Sequence, residues 1–446
     1  MYNTFVPKLL FSRPPEASQI ADLLERNLPP GSLDLLRRVA DEAERLRLPL
    51  YIVGGFVRDL LLGRPAFDFD LVVEGDAVRL ARRLREKYGG KVTVHPNFKT
   101  AQWFTPPSPD GLAWPAVLDL ITARSESYAH PGALPTVRPG SLADDLRRRD
   151  FTINTLAMRL DGEQRAEIRD ELSGLEDLRR GGVHALHANS YVDDPTRILR
   201  AVRYEQRYGF RIDAEDLAWI AAAKPGLGAL SGERLRHELD LILAEEKSAA
   251  MLSRLSWLDV LREIHPALSF DDHCRPAFAA LDRPEPDSWR GVPDLLRLPR
   301  RVALGYLLWL GARKTVDLDA LAARLDFSAP LREALLAASG LSADLAGLAK
   351  RKPSQVVSRL EGVPLLAVCA LSLLAAGSDR QILESYMATW RHIQPRTTGH
   401  DLIRRGLVPG PAFQIILSGL HAAWLDGEVN SVAEEMQLLD KLIKRV

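Results

Sequence analysis

The sequence predicts an α+β chain in which a mixed α/β module precedes a long, largely helical part. Three observations carry this reading. Short apolar runs rich in β-branched residues surround an amphipathic stretch between residues 50 and 123, and strand signals fade from about residue 173 onward. The 446 residues also exceed one ordinary core; at about 150 residues per domain they suggest two to four modules.

The elements follow in order. Residues 33–48 (LDLLRRVADEAERLRL) repeat apolar residues at helical spacing, and LYIVGG (50–55) reads as a short buried strand ending in a glycine turn. FDFDLVV (67–73) is a strand and DAVRLARRLREKYG (76–89) a helix. KVTVH (91–95), TAQWF (100–104) and AVLDLITA (116–123) are further strands of the same module. Helical patterns then succeed one another, as in DPTRILRAVRYEQRYG (194–209), SGERLRHELDLILAEE (231–246) and PLLAVCALSLLAAG (364–377), broken by proline and glycine. No fixed-period repeat is evident.

Composition narrows the function classes. Apolar residues make up 46% and charged residues 26%, with no low-complexity tract, so the chain has enough apolar surface to fold. Cys274 and Cys369 are far apart and lack CxxC spacing, which argues against a disulfide framework or a zinc site and fits a reducing cytoplasm. The N-terminus has no leader pattern and VPLLAVCALSLLAAG is too short to span a bilayer, so a soluble cytoplasmic protein without a membrane partner is expected. Formal net charge is zero, yet arginines gather at 147–149 and 197–211, which leaves a local basic groove open.

Asp68 and Asp70 lie two apart on a predicted strand, so their carboxylates leave the same face and can share divalent metals such as Mg2+. The same spacing occurs in turns and in other metal sites. Asp119 sits in an otherwise apolar strand, where an unpaired carboxylate is costly to bury; a third metal-site carboxylate explains it, as does an exposed edge position. Gly54 and Gly55 allow backbone to approach a phosphate, the next helix offers N–H donors and Arg58 a charged fork, against the plainer reading of a tight turn and a surface arginine. The pattern is GGxxRD before an acidic strand, not GxGxxG, which argues against a dehydrogenase.

In LRRRDFTINTLA (146–157), Arg149 is placed to hold a triphosphate while Asp150 and Asn154 brace the segment; a solvated basic turn is the alternative. In DDPTRILRAVR, Asp194 reads as an N-cap with Pro195 at the first helical position, and Arg197, Arg200 and Arg203 recur every third residue as a basic stripe that can face a nucleotide. Asp194 can accept from the exocyclic amino group of cytosine or adenine and Arg197 can donate to their ring acceptors, whereas uracil and guanine present a carbonyl there. Such a pair is worth roughly 1–3 kcal/mol of discrimination. A capped helix with an exposed arginine face is the structural alternative.

The ordered series GGFVRDLLLG, DFD, LDLITARSESY, RRDFTIN and DDPTRILRAVRYEQRYGF resembles the class II tRNA nucleotidyltransferase and bacterial poly(A) polymerase family, over about residues 50–245, with a weaker echo in TTGHDLIRRGLVPGPAFQIIL. The resemblance implies a polymerase-β-like nucleotidyltransferase head with a mixed sheet, followed by an all-helical neck, body and tail. The expected boundaries are an N-terminal segment over 1–32, head over 33–172, neck over 173–245, body over 246–378 and a tRNA-binding tail over 379–446. It implies Asp68 and Asp70 as ligands of two Mg2+ ions and Asp119 as the third carboxylate. Gly54, Gly55, Arg58, Arg149, Asp194, Arg197, Arg200 and Arg203 are implied as the nucleotide-binding set.

The implied activity is template-independent transfer from CTP and ATP to the tRNA 3′ end, building CCA and releasing pyrophosphate. A-only, CC-only and poly(A) addition, and a catalytically silent RNA-binding relative, are the alternatives. Departures bear on the subtype: Asp193 stands where many relatives have Glu, Asn154-Thr155-Leu156-Ala157 replaces NAMA, and Lys99 occupies a common glycine position. VVEGDAVRLA, HPNFKTA and TARSESYAHPGALP look like the head of A-adding enzymes. Residues 125–141 read as a connector loop, with a mobile loop that helps switch specificity from C to A as the alternative; His184 and His187 read as structural, and His400-Asp401 as a lone pair.

Overall fold

A computed structural model describes residues 10–445 except 12, 66–68, 97–98, 128–135, 296 and 312–316. The chain forms two compact units. One contains the chain up to Leu230 with Leu258–Ile264, and the other contains Ser231–Trp257 with the chain from His265 onward.

In the first unit α1 (Ala17–Asn27) and α2 (Pro30–Arg45) lead into β1 (Leu50–Val53), α3 (Gly55–Leu61), β2 (Asp70–Val73), α4 (Ala77–Tyr88), β3 (Lys91–His95), β4 (Thr100–Phe104) and β5 (Val117–Thr122). Next come β6 (Arg124–Ser127), β7 (Thr136–Pro139), α5 (Leu142–Arg147), β8 (Ala157–Arg159) and β9 (Ile168–Arg169). A seven-stranded mixed sheet has the order β3-β4-β5-β2-β1-β8-β9. β1 is buried along its whole length, as its uninterrupted apolar sequence requires of a strand covered on both faces. The β4–β5 pair alternates instead: Ala101, Trp103, Leu118 and Leu120 are buried, while Asp119 and Ile121 are half-buried.

α4 starts where the Asp76 carboxylate accepts from the Arg79 N–H at 3.0 Å and buries Leu80, Ala81 and Leu84 on one side. Its outer side meets α2 through Glu42, a fully buried carboxylate held by Arg45, Arg83 and Lys87. Burial alone would raise Glu42, but Lys87 and Arg83 outweigh it and hold its pKa below the ordinary value.

Three short pairings were not legible in the sequence. Arg124–Ser127 and Thr136–Pro139, inside the stretch read as a connector, pair antiparallel; residues 128–135 lie outside the described residues. Polar residues occupy both faces of this hairpin, so neither alternation nor an apolar run marks it. β8 and β9 extend the sheet beyond β1. The segment expected to be all-helical contains α6 (Gly174–Arg180), α7 (Ser190–Asp193), α8 (Thr196–Tyr208) and α9 (Ala214–Ala223), but also a two-residue parallel pair of β10 (Gly182–Val183) with β11 (Arg211–Ile212).

Regular structure in the second unit is helical among the described residues. The apolar run at 364–377 forms the helix Leu365–Leu374 with Ala367, Val368, Cys369 and Ala370 fully buried. No described helix is long and apolar enough to cross a membrane. Near the C-terminus, Leu402, Ile416, Leu420 and Leu439 form a separate cluster. Glu435, fully buried beside it, accepts from the Arg396 and Thr397 N–H groups at 3.0 and 2.6 Å and from the Trp424 indole at 2.6 Å.

Candidate functional site

β1 ends at the glycine pair. Gly54 has φ +70°, a conformation costly for other residues, and a Cβ there would stand 2.7 Å from Nη1 of Arg149. Its N–H donates to the Leu156 carbonyl at 2.9 Å, which fixes the turn against the Arg149–Asn154 segment. α3 then begins at Gly55 and carries Arg58 inward.

Arg58 is only 3% exposed. Its Nε and Nη2 donate to the two oxygens of Asp59 at 3.0 Å, its Nη1 donates to the Asn154 side chain, and its guanidinium lies over the rings of Tyr204 and Tyr208 at 5.2 and 4.6 Å. Burial opposes its charge, but Tyr208, Asp59 and Tyr204 overcompensate, so its pKa is raised.

The sheet brings the acidic residues together by register. β2 and β5 run parallel with Asp70 opposite Asp119, so both carboxylates lie at the same level on neighbouring strands. Asp68 lies outside the described residues.

The basic segment is braced from within. Arg148 donates to Asp145 at 2.7 Å and meets Glu126 at 3.2 Å, and Arg149 donates to Asp145 at 3.1 Å. Asp150 accepts from the Asn154 amide at 2.8 Å and from the Phe151 N–H at 2.9 Å, and pairs with Arg200 at 2.7 Å. Its burial would raise the carboxyl pKa, yet Arg200, the Asn154 amide and Arg197 outweigh that and lower it.

α8 starts one residue later than the sequence predicts, at Thr196, although Pro195 already has helical angles (φ −61°, ψ −16°). Asp194 accepts from the Thr196 N–H at 3.1 Å and its hydroxyl at 2.6 Å. Arg197 donates to the Arg148 carbonyl at 3.0 Å, joining the base-reading candidates to the basic segment.

These parts enclose a cleft of about 750 Å3 in the first unit, lined by seven arginines and five carboxylates. Of the residues singled out in the sequence, Gly55, Arg58, Asp70, Arg149, Asp194, Arg197 and Arg200 line it. Gly54 stands directly behind Arg149, and Asp119 is reached through its register with Asp70, without being part of the lining.

Arg203 is the residue whose expected place on the cleft is not met. It is buried at 8% exposure, outside the lining, with its guanidinium 5.5 Å from the Tyr204 ring. At 100° per residue, steps of three drift off one side of a helix, and by Arg203 the stripe has left the cleft. Tyr204 and Arg207 stand in the lining instead. Spacings of three, four and three from Arg197 identify both, so the signal was present in the sequence.

Asp70 and Asp119 offer the hard carboxylate oxygens that a divalent ion such as Mg2+ prefers, so the residues present fit one. A second group, His184, Asp213 and Asp216, brings donor atoms together elsewhere in the unit. There His184 Nδ1 bonds Asp216 at 2.6 Å, the other Asp216 oxygen accepts from Tyr191 and the Ala185 N–H, and Asp213 pairs with Arg180. Those bonds hold β10 to α9, the structural role expected of His184.

Residues 50–184 match the family model of the poly(A) polymerase head domain, and residues 209–271 match one described as a probable RNA and SrmB-binding site of polymerase A. The A-adding tRNA nucleotidyltransferase of Halalkalibacterium halodurans is 31% identical, over 94% of this chain and 95% of that protein. The CC-adding tRNA nucleotidyltransferase of Deinococcus radiodurans is 32% identical over 91% of each. Among solved structures, the Thermotoga maritima CCA-adding enzyme complexed with tRNA superposes with a TM-score of 0.76 at 28% identity, covering 96% of this chain and 98% of that one.

Proposed function

Because the chain belongs to the tRNA nucleotidyltransferase and poly(A) polymerase family, we propose that it transfers nucleotides from CTP and ATP to the tRNA 3′ end and completes the CCA terminus. One observation carries this reading: Asp70, Arg149 and the Asp194–Arg197 pair, drawn from separate motifs, line one cleft. Members of the polymerase-β-like class use divalent metal, and here Asp68, Asp70 and Asp119 would hold it. When bound, the metal supplies charge neutralisation at the phosphates and acidity at the 3′ hydroxyl.

The chain's own residues do the rest. Gly54 and Gly55 let the Arg149 and Arg58 guanidinium groups stand close against the backbone, and Arg149 offers phosphate a charged donor there. Asp194 accepts from the amino group of cytosine or adenine while Arg197 donates to the ring, which excludes uracil and guanine. Asp119, level with Asp70, takes the proton of the RNA 3′ hydroxyl. The 3′ oxygen bonds to the α-phosphorus, the bond to the bridging oxygen breaks, and pyrophosphate leaves with the electron pair.

A second reading, addition of the terminal A alone, is favoured by the A-adding relative that matches along nearly the whole chain. Transcripts ending before CCA, after C and after CC, given CTP and ATP separately and together, decide between them. Ordered growth to CCA from all three is expected; A on the CC transcript alone would select the second reading, and a long adenosine tail or no incorporation would reject both.

A further inference from the structure

The side of α8 that faces the cleft continues past the residues that read the base. Arg197, Arg200, Tyr204 and Arg207 all line the cleft and fall on one side of the helix. Ten residues carry Arg207 about 15 Å along the axis from Arg197. The cleft wall there includes Arg58, Asp59 and Pro65. Behind it, the Tyr208 hydroxyl donates to Asp59 at 2.9 Å, and the Tyr208 ring lies 4.6 Å from the Arg58 guanidinium and 4.8 Å from that of Arg64. Arg207 hydrogen-bonds the same tyrosine. Arg58, Arg64 and Arg207 thus gather around Tyr208, at the opposite end of α8 from the base-reading pair.

We propose that Arg207 binds the terminal phosphates of the incoming nucleoside triphosphate, and then the pyrophosphate that leaves. This rests on the nucleotidyl-transfer reading above. A nucleotide whose base is held at Asp194 and Arg197 and whose phosphates extend along α8 brings its last phosphoryl groups to Arg207, a reach comparable to the length of the molecule. Arginine suits the task, because its planar fork matches phosphate oxygens and stays charged at every working pH. Arg207, about 15 Å along α8 from Arg197, can hold a highly charged leaving group without bearing on base identity.

The test compares Arg207→Gln and Arg207→Lys with the unaltered full chain, using a tRNA transcript ending in CC. Losing one charge-assisted hydrogen bond should raise the KM for ATP and the inhibition constant of inorganic pyrophosphate by about tenfold in Arg207→Gln. Arg207→Lys should keep most of the nucleotide and pyrophosphate affinity, and the KM for tRNA and the preference among nucleotides should stay as they are in both variants. A rise in the tRNA KM alone would place an RNA phosphate at Arg207 and overturn the proposal. So would unchanged ATP and pyrophosphate constants in Arg207→Gln, or an equal loss in both variants. Calorimetric titration of inorganic pyrophosphate into the unaltered chain and Arg207→Gln separates this from failure of the transfer reading. Weaker binding by the variant would uphold the site even if no transcript were extended; equal binding would dismiss it.

Discussion

Asp70 sets the sharpest expectation at the scale of single residues. On the proposed function, Asp70, in register with Asp119, holds the metal at the reacting phosphate and makes no part of the basic wall, so Asp70→Asn should lower transfer at least about a hundredfold while tRNA binding in a filter assay changes little. Normal turnover in that variant would remove the acidic pair from the mechanism. Gly54→Ala acts differently: a side chain at φ +70° costs roughly 1–2 kcal/mol, and its Cβ would displace Arg149. The expected result is a loss of about tenfold in kcat/KM that Asp70 variants do not share in kind, because the KM for nucleotide rises. For Arg197→Gln, selectivity for ATP over GTP should fall by roughly ten- to a hundredfold, matching 1–3 kcal/mol of base discrimination. An unaltered ATP-to-GTP ratio would remove Arg197 from base reading.

Among the elements, the Asp150–Arg200 pair joins the basic segment to α8 and gives that junction a pH dependence. The folded pKa of Asp150 is lowered from 3.8, so its stabilisation is complete above that value and is lost as pH falls through the folded one. Asp150→Asn should therefore destabilise the chain by about 1–3 kcal/mol near neutral pH, the range for a buried hydrogen-bonded charge with a partly exposed partner. Urea titrations at pH 7 and pH 3 should show the gap between variant and unaltered chain shrinking in acid; a gap that widens would reverse the assignment.

The legible elements were those whose sequence forces burial. LYIV, DLVV and VLDLIT could be read because apolar residues on a strand have few other places to go, and α4 because its Asp76 cap and its buried side repeat together. The Arg124–Ser127 hairpin was illegible because polar residues occupy both of its faces, leaving neither alternation nor an apolar run to mark it. The contribution of Arg207 was hidden by counting in threes where the helix turns in 3.6, and the closeness of Asp70 to Asp119 follows from a parallel register that neither segment encodes alone.

At the scale of the whole molecule, two compact units, each with its own internal packing, should lose structure separately. Glu435 is fully buried and accepts from several donors, so Glu435→Ala leaves those donors unpaired and should cost at least about 2 kcal/mol in the second unit. Differential scanning calorimetry should show one transition moving down while ATP binding by the first unit persists; loss of ATP binding in step with that transition would show that the units melt as one.

The parallel pairing of β2 with β5 also fixes when the protein can become active during folding. Parallel neighbours cannot be joined by a tight turn, so Asp70 and Asp119 meet only after α4 and the β3–β4 hairpin between them have found their places. Helical signal should return early on dilution from denaturant, and nucleotide incorporation should lag behind it, because the acidic pair is assembled by a non-local parallel pairing.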